Sequence, residues 1–260
     1  MTLLSLTDIV ATARLRVPAL TLRAGITVVV GDNGAGKSTL LDLLAGVLRP
    51  DHGVVDLDGI GLSSLTHSAR AAQIASLGQY TALVPQLTGE ARIAQGLVPR
   101  RGPRAALDDL SRAAAHAVAA ELGVQSLLSR RLGSLSGGQR QRLHVGRALV
   151  DDRASVIILD EPFAGLDDGA TALLVAALHR RADHRVMVVS VHDLGIALAL
   201  SGRLLGVRGG EIVADTAVEA LLDPTNAAPE NADRIFSDPV RVVRDGEFVG
   251  VLRRQRSGTS

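Results

Sequence analysis

Three short stretches of this sequence combine residue types that could handle phosphate and an attacking water. The first is Gly31-Asp32-Asn33-Gly34-Ala35-Gly36-Lys37-Ser38, a full match to the pattern G-x-x-x-x-G-K-S/T. Glycines let backbone N–H groups wrap phosphate oxygens, and a helix starting near Lys37 would aim the positive end of its dipole at them. Lys37 would then neutralise the β- and γ-phosphates of a nucleotide, and the Ser38 hydroxyl would bind Mg²⁺. Gly31, Asn33, Gly34, Ala35, Gly36, Lys37, Ser38 and Thr39 are the expected nucleotide contacts. The bland alternative is a glycine-rich turn that binds nothing.

The second stretch is Val156-Ile157-Ile158-Leu159-Asp160-Glu161. An apolar run ending in carboxylates describes a buried parallel strand whose end points into a nucleotide site. Asp160 would hold Mg²⁺, directly or through water, and Glu161 would polarise the attacking water as a general base. Alone, such a pair also closes many ordinary core strands. The third is Leu135-Ser136-Gly137-Gly138-Gln139, followed by Arg140-Gln141-Arg142. A hydroxyl and exposed N–H groups at a helix start form a second anion site. One chain would then carry two phosphate-binding helix starts, and the economical reading is that one serves ATP held by a second copy.

The elements that must position these residues follow from periodicity. Residues 1–30 read as two or three strands ending in Ile26 to Val30, and Lys37 to Val47 reads as an amphipathic helix. Pro50-Asp51-His52-Gly53 is a turn, Val54 to Leu57 a strand, and Ala82 to Val84 another, closed by Pro85. From about 87 to 134 the chain is rich in Ala, Arg and Leu and interrupted by Pro99, Gly102 and Pro103. Its clearest element is a helix from Arg104 to Leu122, with Leu107, Leu110, Ala114, Val118 and Leu122 near helical spacing. The α/β pattern resumes with a helix at 137–150, strands at 156–159 and 186–191, a helix at 170–181, and short strands around Gly209-Gly210 and Asp245-Gly246. No internal repeat is visible. The expected fold is an α/β phosphate-loop core with an N-terminal antiparallel β subdomain and a helical insert. Core segments are 1–86 and 135–215, the insert is 87–134, a C-terminal extension covers 216–252, and 253–260 is a frayed basic tail.

Composition narrows the class. At 260 residues, 47% hydrophobic and 21% charged, the chain has a globular rather than a disordered composition. Its formal charge of +1 argues for no nucleic-acid partner. The absence of cysteine excludes a disulfide scaffold and a thiolate zinc site. No secretory signal and no window of 18 uninterrupted apolar residues are seen, so any membrane path is expected from another chain.

With these motifs in this order, residues 1 to 215 resemble the ATPase subunits of ABC transporters. In that family LSGGQ is the signature motif, which closes over ATP bound to the partner subunit, and the match at 135–139 is letter for letter. The resemblance implies that Ser136, Gly137, Gly138 and Gln139 contact that ATP. It also implies that Gln86 is the glutamine loop, contacting Mg²⁺ or its water, and that His192 is the switch histidine, touching the γ-phosphate and supporting Glu161. Ala164-Gly165-Leu166-Asp167 resembles the loop that links the two sites across the dimer. The implied catalytic set is Glu161, His192 and Lys37, with Ser38, Gln86 and Asp160 around Mg²⁺. The other histidines, 52, 67, 116, 144, 179 and 184, are expected to be caps or solvated side chains.

One departure stands out. Family members place an adenine-stacking aromatic upstream of the phosphate loop, whereas Val10 to Val17 contains none. Arg14 or Arg16 could stack instead, or apolar contacts alone hold the base, so weak discrimination between bases is expected. The resemblance implies two copies of this chain, or one with a homologous ATPase subunit, on the cytoplasmic face of the membrane, powering an integral membrane permease. Ala82-Leu83-Val84-Pro85-Gln86, Gly96-Leu97-Val98-Pro99-Arg100 and Ile235-Phe236-Ser237-Asp238-Pro239-Val240 resemble importers of iron–siderophore, haem or vitamin B12. The alternative is a soluble ABC ATPase acting on ribosomes or nucleic acid. A single ATPase domain, a short insert and no cysteines argue against it.

Overall fold

The computed structural model describes residues 2–12, 14–78, 84–102, 108–221, 234–237, 240–245 and 248–253. Strands β1 (Leu4–Ala11) and β2 (Leu15–Leu22) form an antiparallel hairpin, each burying one side of its alternating pattern. β3 (Gly25–Val30) leads through the glycine-rich loop into helix α1 (Lys37–Leu44). The helix ends at Leu44, three residues short of the expected Val47, and Gly46 follows in a left-handed conformation with φ of 66°. β4 (His52–Leu57) pairs with β1 and with the short β5 (Ile60–Gly61), so His52 and Gly53 belong to a strand rather than a turn. After α2 (His67–Ala71) comes β6 (Ile74–Leu77), an edge strand that the sequence did not announce. The strand expected at 82–84 falls partly outside the described residues, and Val84 lies in no element.

The next segment is helical. α3 (Gly89–Ala94) and α4 (Val98–Arg101) precede α5 (Asp109–Glu121). Pro99 sits in the first turn of α4, where a missing N–H costs nothing, so it opens a helix rather than interrupting one. Asp108 caps α5 by accepting from Ser111 N at 2.7 Å, and the expected start at 104–107 lies outside the described residues. The buried stripe of α5 is Ser111, Ala115, Val118 and Ala119, while Leu110 is 71% exposed.

α6 (Gly137–Leu149), β7 (Val156–Leu159), α7 (Asp168–Ala182) and β8 (Val186–Ser190) follow as expected, with every residue of β7 and β8 buried. α8 (Leu194–Leu200), β9 (Arg203–Arg208), β10 (Glu211–Ala217) and α9 (Val218–Leu221) come next. The hairpin of β11 (Val240–Asp245) and β12 (Phe248–Arg253) ends the described chain, with Arg253 in a strand rather than a frayed tail. Among the described residues no helix is long and apolar enough to cross a membrane.

The main sheet runs β5-β4-β1-β2-β10-β9-β3-β8-β7-β6. Its antiparallel end and its parallel end join through β10, which bridges β2 at Glu211 and Arg16 and pairs with β9. One apolar cluster packs α1 against the N-terminal strands, and another packs the helical segment against the opposite face. Loops leaving the C-terminal ends of the neighbouring parallel strands β3, β8 and β7 therefore converge, which is where α/β sheets bind ligands.

Candidate active site

The phosphate loop starts directly after Val30. Gly34 has φ of 76° and Gly36 has φ of 110°, left-handed conformations that side chains resist. Gly36 is the N-cap of α1 and supplies no side chain, so the helix start keeps its backbone donors for a ligand. Lys37 is buried, and its Nζ donates to the carbonyls of Gly31 at 2.9 Å and Asp32 at 3.0 Å. The ammonium is thus held inside the curve of the loop. From below, Gly210 N donates to Ala35 O at 2.8 Å, so the turn between β9 and β10 supports the loop.

Across the cleft lie the two carboxylates at the end of β7. Asp160 is buried and accepts a hydrogen bond from Ser190 Oγ at 2.5 Å. The same oxygen accepts from Glu161 N at 2.9 Å. On the other side of the residue, Gln141 Nε2 donates to Glu161 O at 3.1 Å. Glu161 has φ of 49°, a conformation that costs a non-glycine residue about 1–3 kcal/mol. Clamping its N–H and its C=O holds that conformation and turns its carboxylate toward the cleft. His192 Nε2 lies 2.5 Å from Glu161 Oε1, two residues beyond the end of β8.

These groups line one cleft of about 1440 Å³. It brings together Gly31, Asn33, Gly34, Ala35, Gly36, Lys37, Ser38 and Thr39 with Glu161 and His192. Thr12, Arg14 and Leu15 also line it, whereas Arg16 does not. Gln86 sits exposed in a turn and Asp160 lies behind Glu161, both outside the lining. Ser136, Gly137, Gly138 and Gln139 are also outside it. They open α6 with a capping box, in which Gln139 N donates to Ser136 Oγ at 3.3 Å and Ser136 N donates to Gln139 Oε1 at 3.0 Å. A Cβ on Gly138 would lie 2.3 Å from Gly165 O, so the helix start presses on the loop 164–167. Asp167 of that loop caps α7 by accepting from Ala170 N at 2.7 Å.

Sequence reasoning missed Ser190 and Gln141, the two residues that hold Glu161. Ser190 is the single polar residue of the run Val186-Met187-Val188-Val189-Ser190, which was its one visible signal. It also misread His144, which is neither a cap nor solvated. That side chain is buried in α6, and Arg92 Nε donates to its Nδ1 at 2.7 Å. Burial first, then the Arg92, Arg147 and Arg140 charges, lower its pKa to about 4. Burial, then Arg147, likewise brings Arg92 down to about 10. In α1, burial and then Asp160 raise the carboxyl of Asp42.

The donors near the loop fit Mg²⁺. A hydroxyl on Ser38 and a carboxylate on Asp160 are hard oxygen ligands, and among the described residues no group of three or more His, Cys, Asp or Glu forms an all-protein metal cage. A small cation that keeps waters and completes its shell with phosphate oxygens suits so sparse a set.

A phosphate loop at a strand–helix switch, facing a clamped glutamate, defines a nucleotide-hydrolysing α/β domain. The family is settled by comparison. The ABC transporter family model matches residues 15–164, and the chain belongs to that family. Across 220 residues it is 39% identical to the hemin import ATP-binding protein HmuV of Nocardia farcinica, covering 84% of this chain and 73% of that one. Phosphonates import ATP-binding protein PhnC 2 of Rhodopseudomonas palustris is 35% identical over 199 residues, 74% of this chain and 69% of its own. Among solved structures, a transporter of metal-chelate type in an inward-facing conformation superposes with a TM-score of 0.77 at 23% identity, covering 98% of each chain. The dimeric bacterial cassette MJ0796 superposes with a TM-score of 0.73 at 22% identity, covering 83% of this chain and 98% of that one. The fold is that of the ABC ATPase cassette, and the chain is an ATP-binding ATPase of this family.

Proposed function

We propose that this chain is one of two ATP-hydrolysing subunits that close around a pair of ATP molecules and drive a separate membrane-spanning permease. The observation that carries the reading is the separation of the two phosphate-binding helix starts. The cleft gathers the start of α1 with Glu161 and His192, while the start of α6 lies outside the lining. A hydroxyl and N–H groups presented away from the chain's own cleft suit ATP held by a second copy or a homologous subunit.

In the closed pair, the loop N–H groups and Lys37 of one subunit hold the β- and γ-phosphates, and Ser136, Gly137, Gly138 and Gln139 of the other cover them. Glu161 accepts a proton from the attacking water while His192 keeps its carboxylate aimed at the γ-phosphate. Lys37 and the helix starts stabilise the charge that builds on the transferred group. Ser38 and Asp160, with Gln86, would hold Mg²⁺, which supplies further neutralisation of the phosphate oxygens when bound. Arg14, which lines the cleft where Arg16 does not, is the residue we assign to stack on the base.

The helical segment 87–134, which begins just after Gln86, would pass closure to the permease from the cytoplasmic face of the membrane. The importer names of the relatives support inward transport. The hemin and metal-chelate similarities support a cargo of the metal-chelate, siderophore or cobalamin class.

Purification of Glu161→Gln with ATP from gently solubilised native cells tests this. The variant is expected to bind ATP, to lose turnover by roughly 10²- to 10⁴-fold, and to bring a polytopic membrane protein with it. Near-normal turnover would remove Glu161 from the base role. Recovery of ribosomes, of DNA or of the chain alone would put a non-transport ABC ATPase in first place.

A further inference from the structure

A segment far along the chain returns to the phosphate loop. Ser237 N and Ser237 Oγ both donate to Asp32 Oδ2, at 2.8 and 2.7 Å, across 205 positions of sequence. We propose that residues 234–237 form a strap that sets the conformation of the phosphate loop, with Ser237 as a positioning residue for nucleotide binding. This deepens the ATP-hydrolysing reading and rests on it.

The strap is anchored before it reaches the loop. Ile235 is fully buried and Phe236 nearly so, both within the main apolar cluster. Ile235 fills the space over Gly206, where a Cβ would lie 2.3 Å from Ile235 Cγ1. Gly206 pairs in β9 with Val30, the last strand residue before the loop. Arg208 Nη1 adds a bond to Arg234 O at 3.2 Å. Ser237 is therefore held beside the loop by the packing of Ile235 on β9 and by the burial of Phe236.

Asp32 is gripped from two directions. Its main-chain oxygen accepts from Lys37 Nζ at 3.0 Å and from Ala35 N at 3.2 Å, and its carboxylate accepts from Ser237. A carboxylate in a loop whose N–H groups receive phosphate is a competing anion. Two donors that draw it onto the strap keep it from turning back onto those N–H groups. Ser237 thereby strengthens ATP binding without touching ATP, and the C-terminal extension gains a function in the nucleotide site.

The test is a double-mutant cycle on the full chain, read by calorimetric titration with ATP and by steady-state hydrolysis. Ser237→Ala is expected to weaken ATP binding and raise KM by roughly three- to tenfold, the size of one hydrogen bond, with kcat unchanged. Ser237→Thr is expected to restore both. In an Asp32→Ala background the Ser237→Ala change is expected to be silent, because its partner is gone. Unchanged ATP affinity in Ser237→Ala would overturn the strap, even with a lower melting temperature, and so would an equal loss with and without Asp32. Wild-type protein without ATP affinity would remove the reading of the site and the strap with it. Wild-type binding with an insensitive Ser237→Ala removes the strap alone.

Discussion

In the proposed cycle the starts of α1 and α6 both receive phosphate, yet they are built in opposite ways. At α1 the N-cap is Gly36, no side chain caps the helix, and stability comes from burying Leu40, Leu41, Leu43 and Leu44. At α6 Ser136 and Gln139 satisfy each other's backbone donors in a full capping box. A helix leaves its first four N–H groups without partners, and α1 keeps them for a ligand inside its own cleft. The difference teaches that one start leaves its donors open to a ligand in the chain's own cleft. The other is stable by itself and exposes Ser136 and Gly137 on the surface.

Removing the charge at the first start is the largest way to test that contrast. Lys37→Ala should weaken ATP binding by about 100-fold, the scale of a lost hydrogen bond to a charged group. Isothermal titration reads it directly, and wild-type affinity would break the assignment of α1 as the start that takes nucleotide. At the second start, Gly138→Ala puts a methyl against the carbonyl of Gly165 and should cost about 1–3 kcal/mol as overpacking. Gly137→Ala meets nothing within 4 Å and should leave the denaturation midpoint unchanged. If Gly137→Ala nevertheless lowers turnover in the assembled dimer, the surface at Gly137 is occupied by the partner's ATP. If both variants hydrolyse ATP normally, α6 has no part in the cycle. Ser136→Ala is gentler, with about 1 kcal/mol of stability lost with the cap and turnover down by roughly tenfold, 1.4 kcal/mol. A loss of stability without a loss of turnover would make Ser136 a cap and nothing more.

The two starts were also unequally legible in the sequence. The phosphate loop, Asp160 and Glu161 could be read because glycine spacing and an apolar run ending in carboxylates are local signals, and β3, β7 and β8 appear where those signals put them. The clamp on Glu161 could not be read. Its partners, the donor Gln141 and the acceptor Ser190, lie 20 and 29 positions away and meet only because α6 and β8 flank the end of β7. β6 was missed because Ile74-Ala75-Ser76-Leu77 is too short for periodicity to distinguish. Of the spaced positions Leu110, Ala114, Val118 and Leu122, Val118 and Leu122 are buried while Leu110 is exposed. The small residues Ser111, Ala115 and Ala119 complete the buried face, a role that hydrophobicity alone does not reveal. The joint between the antiparallel and parallel ends was invisible for a topological reason. β10, from the far end of the chain, supplies it.

The smallest expected effect separates the two helices by pH. His144 Nδ1 accepts from Arg92 Nε, so the ring is neutral with its proton on Nε2, and it ties α6 to α3. With a folded pKa of about 4 against an ordinary 6.5, the unfolded chain binds more protons between those values. Stability from this residue is therefore complete above about pH 6.5 and is lost as pH falls toward 4. Between pH 7.5 and 5.5 the loss should be about 1 kcal/mol. Asp42 in α1 acts with the opposite sign, because burial and Asp160 raise its carboxyl and protonation relieves the native state. Urea midpoints at the two pH values, for wild type and for His144→Gln, measure the α6 contribution. The glutamine can still accept from Arg92 but cannot titrate, so its pH slope should be flatter. Equal slopes would mean that acid acts on the protein elsewhere and that the anchoring of the second helix start is as indifferent to pH as its exposed cap.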